Sequence, residues 1–301
     1  MSAFAPIVLF VYNRPDHTRR TLAALAANPL ASESDLIVYA DGPKKPEHVS
    51  AIEQARAVVR AASGFKSVTM IERGHNLGLA NSIMGGVSEV LAARGRAIVV
   101  EDDLLVAPGF LSFLNAGLER YEHESSVMQI SAYSYPVHDE TTPQVFFLPM
   151  ISCWGWATWA SAWARFDPSM AFLTNLDRDA GMRRRFNIDG AYDYYGMACQ
   201  QRNGKVDSWG VRWQLSLFSH AGLVVYPRET LVSNIGVDAS GTHGAGHAWL
   251  QRDLKIHDGY AGNLAWPAAI STDTTAMSQV KQLLQANRPG LLRRFIERIR
   301  S

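Results

Sequence analysis

Cysteine is almost missing from this chain: its 301 residues hold two, Cys153 and Cys199, in no CxxC or metal-binding spacing. So few thiols exclude a disulfide scaffold and point to a reducing compartment, with both side chains expected as small buried hydrophobes. Charge imbalance is missing as well. Lys and Arg number 29 against 28 Asp and Glu, a net charge of +1, which gives no reason to expect a nucleic-acid partner. No apolar run approaches the roughly 20 residues of a spanning helix. The opening Met1 to Pro6 has neither a basic n-region nor a small-residue cleavage site and leads straight into an apolar run. Together these features set the expectation of a cytoplasmic protein. Tyr12 to Thr18 contains no GxGxxG, which argues against a dehydrogenase, and the same loop lacks the Gly-rich, Lys-containing cradle expected of a nucleotidyltransferase. Fixed-period repeats and long low-complexity segments are also lacking, although 272–285 could include a connector.

What is present is the composition of a packed enzyme, 47% hydrophobic and 19% charged, long enough for one large domain with extensions. Four short apolar runs, Ile7 to Val11, Leu36 to Tyr39, Val68 to Ile71 and Ala97 to Val100, are rich in β-branched residues and continuous, as strands covered on both faces should be. Helical segments separate them at Arg19 to Ala27, Val49 to Ala62 and Leu79 to Ala93. Strand and helix alternate, which predicts an α/β fold with a doubly wound, mostly parallel sheet whose ligand site lies along the carboxyl edge of the strands. Further on, a helix is expected at Phe110 to Tyr121 and strands near Val127 to Ile130 and Leu223 to Tyr226. Regular alternation stops in the aromatic-rich stretch from Val145 to Trp163.

The strongest chemical signal is Glu101-Asp102-Asp103 directly after the fourth strand. Clustered carboxylates repel one another and are costly to desolvate, so at a buried strand end they call for a cation. Mg²⁺ or Mn²⁺ fits, because substrate phosphates complete a shell to which the protein adds one or two carboxylates. The competing reading is a solvated acidic turn before Pro108-Gly109. Tyr12-Asn13-Arg14-Pro15 and Asp41-Gly42 end the first two strands on the same edge. Arg14 suits phosphate oxygens and Asp41 can accept from a base or ribose, against the plainer readings of a surface charge and a turn-forming Asp-Gly. After the third strand, His75-Asn76-Leu77-Gly78 opens into a helix whose amide donors suit a polar ligand. Tryptophans at 154, 156, 159, 163, 209 and 213 offer indole faces for sugar rings, or simply fill the core.

These motifs together resemble the N-acetylglucosaminyltransferase I family and related bacterial sugar transferases, over about Ile7 to His243 and most clearly up to Leu105. The resemblance implies a GT-A type fold, with residues 1–105 as the nucleotide-sugar-binding half of one domain. Residues 106–262 would be its acceptor-binding and catalytic half, and 263–301 a C-terminal helical extension. It implies a metal-dependent glycosyltransferase that moves a hexose or N-acetylhexosamine, as in polysaccharide biosynthesis. The donor would be a nucleotide-sugar, UDP by resemblance, and the acceptor a glycan or lipid-linked glycan attacked with inversion. Asp103 would ligate the metal, while Glu101 and Asp102 would contact sugar and ribose hydroxyls. Asp41 would read the uracil and Arg14 the diphosphate, with Asn13, His75 and Asn76 beside them. Thr242 and His243 match a loop that closes on the phosphates, and Trp156 and Trp209 are the candidates for the acceptor platform. The family's base is a carboxylate just before a Trp. Here Ser208 holds that place, which makes Asp207 the candidate and leaves a capping or structural role open for it. A noncatalytic carbohydrate-binding or adhesion module on the same fold is the rival from another class. At the end of the chain, Leu291, Leu292, Phe295, Ile296 and Ile299 fall on one helical face with most of the arginines opposite. Such a helix can lie at an anionic membrane surface or pack on the protein.

Overall fold

The continuous apolar runs of the first hundred residues form four parallel strands in a computed structural model, which describes residues 4–136, 139–237 and 264–287. In order they are β1 (Ile7–Val11), α1 (Pro15–Ala26), β2 (Asp35–Ala40), α2 (Val49–Arg60), β3 (Ser67–Glu72), α3 (Leu79–Arg94) and β4 (Arg96–Glu101). Helix α1 starts four residues before the apolar periodicity does. Pro15 causes this: it stands at the first helical position, where its fixed φ suits the helix and its missing N–H costs nothing.

The second half adds β5 (Leu104–Val106), α4 (Phe110–Arg120), β6 (Val127–Ser131), β7 (Val145–Leu148), β8 (Trp156–Trp159), α5 (Ala160–Trp163) and α6 (Leu173–Arg178). After these come α7 (Ala180–Phe186), α8 (Tyr194–Arg202), α9 (Trp209–Ser219), β9 (Leu223–Pro227), β10 (Val232–Asn234) and α10 (Thr274–Ala286). Both halves share one eight-stranded, mostly parallel sheet in the order β3-β2-β1-β4-β8-β6-β9-β7, flanked by helices. Its antiparallel pairs are β4 with β8, β6 with β8, and β7 with β9. A separate pair, β5 with β10, ties residues 104–106 to 232–234. The α/β class is the one expected from the sequence.

Burial corrects two expectations. Strands β1 and β4 are covered on both faces, whereas β3 is not: it ends the sheet with β2 as its one neighbour, and Val68 is 37% exposed. The second correction concerns the acceptor platform assigned to Trp156 and Trp209. Trp156 is fully buried in β8 and Trp209 is 4% exposed; their rings stack at 5.1 Å, and Trp163 packs against Trp156 at 5.9 Å. They join α9 to the sheet as core and present no face to a sugar. Trp156→Ala is therefore expected to cost about 3–5 kcal/mol of folding stability, the range for deleting a large buried aromatic, as read from urea denaturation.

Candidate active site at the carboxyl edge of the sheet

Chain order reverses between β1 and β4. From β1 the chain moves outward to β2 and β3, then α3 returns it to β4 on the other side of β1, which leaves a crevice above the carboxyl ends of these two strands. Tyr12 to Arg14 and Glu101 to Asp103 emerge there side by side, since Phe10 is the register partner of Glu101. The Arg14 guanidinium bridges the two aspartates, donating from Nη1 to Asp103 Oδ2 at 3.0 Å and from Nη2 to Asp102 Oδ1. Asp102 also faces the Tyr12 N–H at 3.4 Å, and the Thr21 hydroxyl donates to its backbone carbonyl at 2.8 Å. Both aspartates are buried, at 3% and 7% exposure.

The second half of the chain supplies the other wall of this ion pair. Pairing of β5 with β10 sets Asn234 opposite Leu104, and Asn234 Nδ2 lies 3.3 Å from Asp103 Oδ1. The Ile235 N–H donates to the Asp103 carbonyl at 2.8 Å. Gly236 is required where it stands, because a Cβ there would run into the Asp103 carboxylate and approach Arg14 Nη1 to 2.9 Å. Sequence reasoning missed Asn234, Ile235 and Gly236.

Three carboxylates thus share one cation. Burial, reinforced by the charges of Asp103 and Asp102, pushes the Glu101 carboxyl up to about 8. Burial also raises Asp102 to about 6 in spite of Arg14. Burial opposes the Arg14 cation, yet Asp102 and Asp103 outweigh it and hold its pKa above the ordinary value.

Asp41 is engaged within the loops at this edge. Its buried carboxylate accepts from the Gly42 N–H at 3.0 Å, the Leu77 N–H at 3.0 and 3.1 Å, the Gly78 N–H at 3.1 Å and Asn76 Nδ2 at 3.0 Å. Four donors from the protein thus meet the Asp41 carboxylate, which ties the loop after β2 to the loop before α3. Asn76 gives its amide donors to Asp41 and to the Gly42 carbonyl, 3.0 Å away, which makes it a part of the same latch. Gly42 approaches the His75 backbone so closely that a Cβ would lie 2.5 Å from it, while the His75 side chain is exposed. Asn13 is partly buried on the β1–α1 loop.

Strand β8 brings in an aromatic wall. Its register with β4 pairs Trp156 with Val99, and Trp154 lies just beyond the paired residues, past Gly155 at φ +62°. Trp154 is partly exposed and packs edge-on against Tyr133 at 4.9 Å. Neighbouring Cys153 is partly buried and its thiol is pushed up, first by burial and then by the charge of Glu101. The start of α9 reaches the same place, since a Cβ on Gly210 would lie 3.0 Å from Cys153 Sγ. Ser208 caps α9 by accepting from the Val211 N–H at 3.3 Å, so the cap is not Asp207. Asp207 is exposed at that helix start and pairs with Arg212 at 3.1 Å. Asp193 caps α8. Cys199, partly buried, lies within α8 and far along the chain from Cys153. Thr242, His243, Asp238 and the basic tail from Arg288 lie outside the described residues.

Among the described residues no group of three or more His, Cys, Asp or Glu side chains forms a cage for a metal ion. No helix among them is long and apolar enough to cross a membrane.

The comparisons with known proteins follow this geometry. Structural similarity was found to a mannosyltransferase from Pyrobaculum calidifontis in complex with GDP-Man and Mn²⁺, at 15% identity and a TM-score of 0.38, over 54% of this chain and 46% of that one. Mouse xyloside xylosyltransferase 1 matches at 11% identity and a TM-score of 0.41, over 85% and 95%. TarS of S. aureus matches at 13% and 0.31, over 42% and 21%. The chain thus spans under half the length of the first of these. A search of curated proteins gave no match. The sequence model of Glycosyl transferase family 2 matches residues 7–182, more than half of the chain and the stretch that carries Arg14, Asp102 and Asp103, and the protein belongs to that family.

Proposed function

We propose that this protein is a metal-dependent glycosyltransferase of GT-A type that moves a sugar from a nucleoside-diphosphate donor to a hydroxyl of a glycan or glycolipid acceptor. The observation that carries this reading is the buried Asp102–Asp103 pair, compensated by one guanidinium at the switch point of the sheet. The donor set fits a hard divalent cation: it is all oxygen, it carries more negative charge than Arg14 neutralises, and it forms no complete cage, as expected when substrate phosphates supply the remaining ligands. Asp103 would hold Mn²⁺ or Mg²⁺, and the bound cation would stabilise charge on the departing diphosphate. UDP as the nucleotide, and the narrower resemblance to the N-acetylglucosaminyltransferase I family, belong to the same proposal.

The chain's own residues divide the remaining work. Arg14 pairs with diphosphate oxygens. Glu101 and Asp102 contact the sugar and ribose hydroxyls of the donor. Trp154, rather than Trp156 or Trp209, is the indole available to an acceptor sugar, since it is partly exposed while the other two are buried. Asp207 takes the proton as the acceptor oxygen bonds to the anomeric carbon, while the bond from that carbon to the diphosphate oxygen breaks on the opposite face. The configuration inverts in that single displacement. A thermal-shift screen of nucleoside diphosphates with Mn²⁺ or EDTA tests donor and metal together. Release of nucleoside diphosphate from the donor separates an enzyme from a noncatalytic sugar-binding module.

Asp103→Ala is expected to abolish Mn²⁺-dependent nucleoside-diphosphate binding in calorimetry while keeping the fold, because one of two adjacent buried carboxylates is removed and Arg14 keeps Asp102 as its partner. Asp207→Asn should lower turnover by roughly 10²–10⁴-fold, the usual contribution of a general base, and leave donor affinity within about twofold. Normal turnover of that variant would remove Asp207 from the role. A pH signature comes from the shared charge. Glu101 and Asp102 both hold protons to higher pH when folded than their ordinary values of 4.5 and 3.8, so over that window the native state binds more protons than the unfolded chain. The contribution is most favourable below the unfolded values and is lost as pH rises through about 6 and then about 8. In EDTA the Tm of Glu101→Gln should therefore fall less between about pH 5 and 8.5 than that of the wild type; parallel curves would contradict the assignment.

A further inference from the structure

Both oxygens of the Asp103 carboxylate are engaged, and its backbone carbonyl is engaged as well. Arg14 Nη1 takes Oδ2 at 3.0 Å, Asn234 Nδ2 approaches Oδ1 at 3.3 Å, the Ile235 N–H takes the backbone carbonyl at 2.8 Å, and the backbone of Gly236 closes over the carboxylate. A cation that binds at Asp103 competes with these partners for the carboxylate oxygens. Ile235 and Gly236 are backbone, fixed next to the β5–β10 pair, and Asn234 is itself a strand residue of that pair. Arg14 is the exception. It stands on the loop before α1, its side chain is 21% exposed, and it carries the charge that repels the incoming cation.

Asp102 does not depend on Arg14 alone, since the Tyr12 N–H also faces its Oδ2. When the guanidinium swings away, its planar fork suits the two oxygens of a phosphate as well as it suits two carboxylates. We propose that Arg14 is the resident counter-ion that a divalent cation must displace from Asp103, so that it obstructs the metal alone and hands the site over when a diphosphate draws it off. One side chain then serves two mutually exclusive partners. Metal and diphosphate bind with positive coupling, and by linkage each raises the affinity of the other by the same factor. This inference rests on the metal-dependent reading above and adds the order imposed by Arg14.

The test is Mn²⁺ binding without nucleotide, followed by electron paramagnetic resonance, on wild type, Arg14→Met and Arg14→Gln. The second variant guards against a folding defect peculiar to the first. Wild type should bind Mn²⁺ weakly, and both variants should bind at least about tenfold more tightly, within the usual span of such couplings. The factor by which a nucleoside diphosphate tightens Mn²⁺ should fall by a similar amount. Arg73→Met controls for charge alone: this guanidinium sits on the same edge, over the Tyr39 ring at 5.1 Å and bonded to Ser82 at 2.6 Å, away from Asp103. Its removal should change Mn²⁺ affinity less than about twofold. The inference is overturned if the Arg14 variants bind Mn²⁺ no more tightly than wild type, or if Arg73→Met tightens binding as much as they do. Failure of the functional reading would look different, as a wild type that binds no nucleoside diphosphate with or without Mn²⁺.

Discussion

A deficit of positive charge at the carboxyl edge of the sheet organises this protein. Three carboxylates stand in sequence at the end of β4, two of them almost wholly removed from water, and one guanidinium answers them. Such a cluster works against folding, and the elevated pKa values of Glu101 and Asp102 express that cost in proton binding. The surroundings offset it by position. Arg14 stands at the end of β1 because β1 and β4 are neighbours, and they are neighbours because the chain order reverses between them. The crevice that results belongs to the topology; the charge within it belongs to four residues.

Rigid supports keep these residues in place. Asp41 spends its carboxylate on three backbone N–H groups and on Asn76, which locks the loop after β2 to the loop before α3. Tyr12 passes its hydroxyl between the Lys44 N–H at 3.0 Å and His48 Nδ1 at 2.6 Å, so the residue beside Asn13 and Arg14 is anchored to the start of α2. These contacts form an outer frame around the acidic pair. Their residues are polar and lie on the carboxyl edge of the sheet, and the hydrogen bonds they make there run within the protein.

That distinction marks where the sequence was legible. Strands β1 to β4 were readable because continuous β-branched runs have few alternatives to a buried parallel strand, and the acidic run was readable because carboxylates after such a strand need a reason. Burial of individual aromatics was not. An indole serves a sugar or a core equally well, and only the register of β8 against β4 separates Trp156, pinned under Trp209, from Trp154 at the open end. Asp41 was ambiguous for a related reason, since Asp-Gly is both a turn former and a ligand pair. Asn234 and Gly236 left no local sign at all. They meet Asp103 across a separation of 131 residues for Asn234, through a three-residue strand too short to show a period.

The long-range closure by β10 also explains why the acidic pair can be both buried and responsive. A carboxylate enclosed by neutral donors, three backbone N–H groups and one side-chain amide, is held in one state, as Asp41 is. Asp103 instead has neutral partners from β10 and the turn after it on one side, and a single charged side chain from the opposite half of the sheet on the other. The neutral partners define where the carboxylate sits, and the charged one decides whether it is free. Gly236 stands too close to Asp103 to admit a side chain, and among the described residues Arg14 is the cation bonded to that carboxylate. The electrostatic state of the site therefore turns on one rotatable side chain, whose alternative partners are limited to groups that carry negative charge into the crevice.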